Sequence, residues 1–533
     1  MTAASKGFGP WLAIIVLVGT FGGPGEAQAY YDRVFRDGFD PAFYVSANSG
    51  SDSNNGSRQN PWKTINRAVK NANGAPAGAT VYVAPGTYQE AVVFARNDLS
   101  LIGYQNTPGD QPPILADVPV DTSQIVANSI DAFPPFDPTQ MPLVLGADRA
   151  VSMCVDLTDV TGITIKNLNI RNCKYGFYAG KSSRTLPENH YLFNANALEM
   201  GPTNGNYGGF AICFGMLNSV FANSNFVDSS LIINSSSEGL AIKGYENLAR
   251  NVKVYSTSQS AGPSTDYYVI IYGDRNRVEH SLGWRLPGVG HIGHGFTIKD
   301  NAPDPSSGGS PTPPTVESHD NVFANNVAYN MGGGFVARHK GVTDNLFIDN
   351  VAYGTWGEAN ACTSGNNRYW GSTGITIRDG ASDNTFINMR AYNVCEAIEI
   401  EDTIEDGWYN ADIPNGNKII GFQAQHSQTG ISYTKCPYSN PYSACPSDQG
   451  AGQNEIEDSA FLSTTTIFDA GINASAMTYK NTCFQGLGSS GAFRSGSNAS
   501  TITPSQFTNA RFVDINNYPT TGGWPAQASS CDN

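Results

Sequence analysis

Apolar and polar positions in this chain recur as a short motif. Six segments are variants of one another: Gly239-Leu-Ala-Ile-Lys243-Gly, Val269-Ile-Ile-Tyr272-Gly, Gly295-Phe-Thr-Ile-Lys299-Asp, Gly334-Phe-Val-Ala-Arg338-His, Gly374-Ile-Thr-Ile-Arg378-Asp and Ala397-Ile-Glu-Ile-Glu401-Asp. Side chains of a β-strand alternate between its faces. Leu240 and Ile242, Phe296 and Ile298, Phe335 and Ala337, Ile375 and Ile377, and Ile398 and Ile400 therefore fall on one side. The other side carries Lys243, Tyr272, Lys299, Arg338, Arg378 and Glu401 at one equivalent position. Stacked as consecutive coils of a solenoid, these residues form a ladder with ~4.8 Å per step. A row of cations in a shallow groove is a site for a polyanion.

A second pattern supports the coil. Asp320-Asn-Val-Phe, Asp344-Asn-Leu-Phe and Asp383-Asn-Thr-Phe each run into a short apolar strand and then Ala-Tyr. This predicts at least two strands per coil, with Asn at a corner where a left-handed backbone and side-chain hydrogen bonds to main chain are tolerated. Arg378 and Glu401 are 23 residues apart, which gives the coil period. The intervals from Lys299 to Arg338 and from Arg338 to Arg378 are 39 and 40 residues, and the extra lengths read as loops at 303–316 and 356–372. Long loops on one flank of a solenoid wall a binding groove. Trp356 and Trp370 in the second loop are candidates to stack on a sugar, or to bury themselves against the coil.

Upstream, Trp62, Ile65, Ala68 and Val69 recur at helical spacing, and Thr80-Val-Tyr-Val reads as a strand ending in a Pro-Gly turn. A short helix there is expected to cover the open end of the first coil. Residues 1–29 combine Lys6, an apolar run from Trp11 to Phe21 and a small-residue exit at Ala27-Gln-Ala29, the three parts of a signal peptide. The reading divides the chain into a signal peptide at 1–29, a cap and first strands at 30–88, and the solenoid with a C-terminal cap at 89–533. The mature protein is expected to be secreted, without a stable membrane anchor, and monomeric.

Charged residues make up only 14% of the chain, and the net charge of −15 excludes nucleic acid as a partner of the surface as a whole. A cationic ladder inside an acidic molecule is thus a local feature. Nine cysteines suit an oxidising compartment and leave at least one unpaired. Cys436 with Cys445, Cys154 with Cys173, and Cys362 with Cys395 are the candidate pairs, and Cys213 in Phe210-Ala-Ile-Cys-Phe214 is the candidate free thiol. No Cys/His cluster has zinc spacing.

The pattern resembles the right-handed parallel β-helix proteins over nearly the whole mature chain, so the expected fold is all-β, a single right-handed parallel β-helix solenoid. Within that group, Phe296-Thr-Ile-Lys299, Asp320-Asn-Val-Phe-Ala-Asn-Asn326 and Gly334-Phe-Val-Ala-Arg338-His339-Lys-Gly341 look like the family 6 polysaccharide lyases. The resemblance implies Lys299 as base, Arg338 as acid or charge stabiliser and His339 as a substrate contact. It also implies calcium, but those lyases place acidic ligands before the lysine, where this chain has His291-Ile-Gly-His-Gly295. No metal is therefore assigned, and neutralising the substrate carboxylate falls to His294 or Lys243.

The ladder supports this chemistry on its own terms. Elimination across a uronic acid needs a base for the C5 proton, positive groups for the developing enolate and a proton for the leaving oxygen. A guanidinium one step away disfavours the ammonium form of a lysine, which suits a base. Tyr272 competes for the role of acid or base, and Arg378 and Glu401 extend the substrate-binding row. The expected activity is a lyase on an acidic polysaccharide of the alginate or pectate type. The alternatives are a uronate epimerase, a non-catalytic polysaccharide binder, and an inverting glycoside hydrolase on Asp300 and Asp379, about 9.6 Å apart at two steps.

Overall fold

The computed structural model describes residues 41–112, 137–180, 188–202, 208–215, 221–256, 265–285, 293–300, 317–355, 362, 372–402, 413–435, 450–488 and 491–531. The signal-peptide segment, Trp356, Trp370, His291, Cys436 and Cys445 lie outside them. Ala42–Asn533 forms one compact unit. Its secondary structure is nearly all β, with one α-helix among the described residues.

The strands pair in parallel with equivalent strands one coil further along the chain. Among the described residues they make two long sheets, one of 27 strands and one of 13. In most coils the longer sheet takes two strands and the shorter sheet one, so three strands complete a turn of a parallel β-solenoid. The shorter sheet carries the repeated motif. Its strands relevant here are β1 (Tyr175–Ala179), β2 (Phe210–Phe214), β3 (Glu238–Lys243), β4 (Tyr267–Tyr272), β5 (His294–Lys299), β6 (Gly333–Arg338), β7 (Thr373–Arg378), β8 (Glu396–Asp402) and β9 (Thr429–Lys435).

The inward row predicted from alternation is the core. Leu240, Val269, Phe296, Phe335, Ile375, Ile398 and Ile431 stack in register and are fully buried. Ring stacking between Phe296 and Phe335 at 5.3 Å, and between Phe347 and Phe386 at 4.4 Å, continues along the interior. Each fully buried Phe or Ile contributes about 1.5–3 kcal/mol, which a polar residue at the same position would forfeit.

Asparagine holds corners as expected, left-handed at Asn325, Asn330, Asn388 and Asn393, and it holds one further corner in a second way. The left-handed residues there are Asp320, Asp344 and Asp383, while the asparagine that follows each turns inward and is buried. Asn225, Asn247, Asn276, Asn321, Asn345, Asn384, Asn417 and Asn454 form a ladder. At each of the seven steps, backbone N–H and Nδ2 both donate to the Oδ1 of the next coil. A buried amide is tolerated because donors and acceptor are satisfied coil by coil.

The helix expected upstream is Ile65–Val69, with Ile65, Ala68 and Val69 buried. Thr64 caps it by accepting from the Arg67 N–H, and Glu90 accepts from the N–H groups of Ile65 and Asn66. Disulfides join Cys154 to Cys173 and Cys362 to Cys395, as the coil spacing suggested, and Cys213 is free and buried. A third, Cys483 to Cys531, was not anticipated. Three disulfides among the described residues fit an exported protein. Among the described residues no helix is long and apolar enough to cross a membrane.

Candidate active site on the outer face of the short sheet

The predicted ladder exists in register. Lys243 pairs with Tyr272, Lys299 with Arg338, Arg338 with Arg378, and Arg378 with Glu401 as Cα partners on successive strands. Tyr272 precedes Lys299 in the same register, set by Ile271 opposite Ile298.

The ladder is not the open row of cations expected from alternation. Lys243 and Arg378 are buried, at 2% and 3% exposure, as are Tyr272 and Glu401. Lys299 and Arg338 are the members that keep partial exposure. Arg378 is held between two carboxylates, at 3.0 Å from Asp379 and 3.1 Å from Glu401. Burial pushes Glu401 up to about 8 against the pull of Arg378.

Lys299 and Arg338 converge on a residue absent from the sequence reading. The Lys299 ammonium lies 3.3 Å from the Tyr267 hydroxyl and 5.1 Å from its ring centroid, and an Arg338 Nη1 lies 3.5 Å from the same hydroxyl. The phenol oxygen accepts from both. Asp379 fixes the other side of Arg338 through Nε at 2.8 Å. His294, the Cα partner of Tyr267 on β5, stacks on its ring at 5.2 Å.

Tyr267 faces outward because the strand breaks its own alternation. In β4, Tyr267, Ile270 and Tyr272 belong to an outer-face cluster, whereas Tyr268, Val269 and Ile271 enter the interior core. Pairing to β5 passes from Tyr267 opposite His294 directly to Val269 opposite Phe296. The equivalent position to Tyr268 is glycine in β5, β6 and β7. A Cβ on Gly334 would sit 2.7 Å from the Gly374 carbonyl oxygen of the next coil. Outward residues thus occur at the first, fourth and sixth places of the motif.

Four sequence candidates take structural positions. Tyr272 is buried, and burial with nearby acidic groups pushes its phenol well above the usual range, so it stays protonated and is a weak acid. His339 was expected to touch substrate; it is 1% exposed, and its Nδ1 lies 3.0 Å from Asp300. Burial lowers its pKa to about 4, leaving it neutral. Asp300 also accepts from the Gly341 N–H at 3.1 Å, closing the turn after Arg338. With Asp300 bound to that turn and Asp379 bound to two arginines, the aspartate pair of the hydrolase reading is engaged inside the wall.

Glu238 is a further group that alternation did not single out. It is the Cα partner of Tyr267 on β3, and burial raises it to about 8, with Lys299 and Lys243 opposing the shift. On the step of Lys299 the outward residues are His294 and Thr297. That donor set lacks the carboxylates a hard cation such as calcium prefers. Among the described residues no group of three or more His, Cys, Asp or Glu converges as metal ligands.

A family model described as a protein of unknown function, DUF1565, matches residues 48–252. No curated protein matches the sequence. Solved structures with a similar chain path include a PL6 alginate lyase in complex with a trisaccharide, at 11% identity over 93% of this chain and 93% of that chain, with a TM-score of 0.47. An alginate lyase in complex with G6 is 11% identical over 90% of each chain, with a TM-score of 0.43. A GH136 lacto-N-biosidase from Eubacterium ramulus is 11% identical over 92% of this chain and 69% of that one, with a TM-score of 0.40.

Proposed function

We propose that this protein is an exported enzyme that cleaves a uronate-containing polysaccharide by β-elimination on the outer face of β4 to β6. One observation carries the reading: Lys299 and Arg338, the partly exposed members of the ladder, both reach the Tyr267 hydroxyl. Lys299 takes the C5 proton of the uronate. The electron pair left at C5 forms the C4–C5 double bond, and the bond from C4 to the glycosidic oxygen breaks. Tyr267 donates its proton to that oxygen, and the two cations stabilise the phenolate left behind. Arg338, held by Asp379, stabilises the carboxylate as it becomes enolate-like. His294 is placed beside Tyr267 to orient its ring.

A second reading has one observation in its favour. Glu399 and Glu401 both sit at outward places of β8, two carboxyl groups on one step of the kind a hydrolase uses as acid and base, with Glu401 held by Arg378. The products separate the two. Elimination gives an unsaturated uronate that absorbs in the ultraviolet, and hydrolysis gives a new reducing end without it. Alginate, polygalacturonate, chondroitin and ulvan, each with and without calcium, are the first substrates to test.

A further inference from the structure

The outer face of the short sheet continues past Tyr267 toward the N-terminus, and its character changes there. Tyr267 pairs with Glu238, Glu238 with Phe210, and Phe210 with Tyr175, all at the first outward place of their strands. The Tyr175 and Phe210 rings stack at 5.4 Å, and Tyr178 lies 6.0 Å from Tyr175. All three are half-buried, so a patch of aromatic surface stays open. Tyr178 and Phe210 pack on the outer-face cluster of Cys213, Ala241, Ile270, Tyr272 and Tyr267. This cluster connects the patch to the residue shared by Lys299 and Arg338, with Glu238 between Phe210 and Tyr267 in the outward row. Lys174 stands at its far end, with its ammonium 5.3 Å from the Tyr175 ring centroid.

The spacing matches a polysaccharide. Each coil advances ~4.8 Å, close to the length of one pyranose residue in an extended chain. Phe210 is three strands, and Tyr175 four, before the strand of Lys299, about 14 and 19 Å along the axis. Aromatic side chains offer flat apolar surface to the C–H face of a sugar, and the Lys174 ammonium at the rim suits hydroxyl or carboxylate oxygens. Glu238, which lies between patch and site, is mostly uncharged at neutral pH and so does not repel a uronate passing over it. We propose that Tyr175, Tyr178 and Phe210, with Lys174 at the rim, form a distal subsite for a pyranose three to four residues from the sugar over Lys299. This rests on the elimination reading for its direction and register, but not for its affinity.

Two measurements on the full chain test it. With short and long oligogalacturonates and oligoalginates, Phe210→Ala and Tyr175→Ala should each lower the ratio of kcat/KM for long over short substrates about threefold to tenfold. Phe210→Tyr should restore the ratio, which a general loss of packing would not. An unchanged ratio, or an equal fall on short and long substrates, overturns the subsite. In a Lys299→Ala background, affinity electrophoresis through gels containing the polymers reads binding without turnover. Retardation that Phe210→Ala weakens supports the subsite even if no unsaturated product forms, which would sink only the elimination reading. Retardation equal in both variants, or none with any polymer, overturns the subsite.

Discussion

Lys299 with Arg338, and Arg378 with Glu401, occupy the same column of the same sheet, each pair on adjacent coils. Their chemistry differs because their neighbours differ. The first pair keeps partial exposure and shares the Tyr267 hydroxyl. The second is buried, and its cation is consumed by Asp379 and Glu401. In a repeat protein, a register position gives a side chain its direction, and the coil on either side decides whether its charge is available. A charge buried inside the wall supports the wall, and a charge that keeps partial exposure beside an outward-facing hydroxyl can act on a substrate.

Substitutions that separate activity from stability test this contrast, beginning with the largest effect. Tyr267→Phe should lower kcat by about 10²–10⁴ with little change in thermal stability, measured by product absorbance and calorimetry. Arg378→Ala should do the reverse. Leaving Asp379 and Glu401 with one fewer partner in a buried site should cost about 3–5 kcal/mol in denaturant unfolding. If Arg378→Ala removed activity at unchanged stability, the division between the two pairs would be wrong. Arg338→Ala should cost about 10²–10³ in kcat, with a smaller stability loss than Arg378→Ala, because Asp379 keeps Arg378.

A smaller effect is expected at the turn behind Arg338. Asp300→Asn should destabilise by about 1–3 kcal/mol, since the His339 and Gly341 contacts lose their charged acceptor. The smallest effects appear in the pH dependence of stability. Glu238 and Glu401 are raised from 4.5 to about 8, so the folded state binds more protons across that window, and stability is lost as pH rises through it. His339 is lowered from 6.5 to about 4, so its contribution is lost as pH falls from 6.5 towards 4. Glu238→Gln should raise the Tm at pH 8 and leave it nearly unchanged at pH 5. An equal shift at both values would show that Glu238 does not titrate in this window.

The coil architecture was legible in the sequence because every coil repeats the same burial problem. The inward positions of the six segments, the column from Lys243 to Glu401 and two of the disulfides follow from spacing alone. What spacing could not show was which charges keep partial exposure, since Asp379 and Glu401 reach Arg378 only once the coils stack. Strict alternation also hid Tyr267. Counted back by twos from Tyr272, it falls on the inward face, and only the glycine-equivalent place at Tyr268 turns it outward. The glycines at 295, 334 and 374 were the available signal, since a residue type with no side chain in the same place of successive coils marks a break in the pleat. His339 carried the opposite error, because its position after Arg338 in sequence gave no hint that Asp300 on the preceding coil would bury it.

The central claim is that Lys299 is the base of an elimination, and ultraviolet absorbance of unsaturated uronate tests it most directly. Mature protein and Lys299→Ala would be compared on alginate, polygalacturonate, chondroitin and ulvan, with folding of the variant checked by circular dichroism. The account predicts a rise in absorbance on at least one polymer that Lys299→Ala abolishes. A rise of equal rate in the variant, or new reducing ends without any rise, would contradict it.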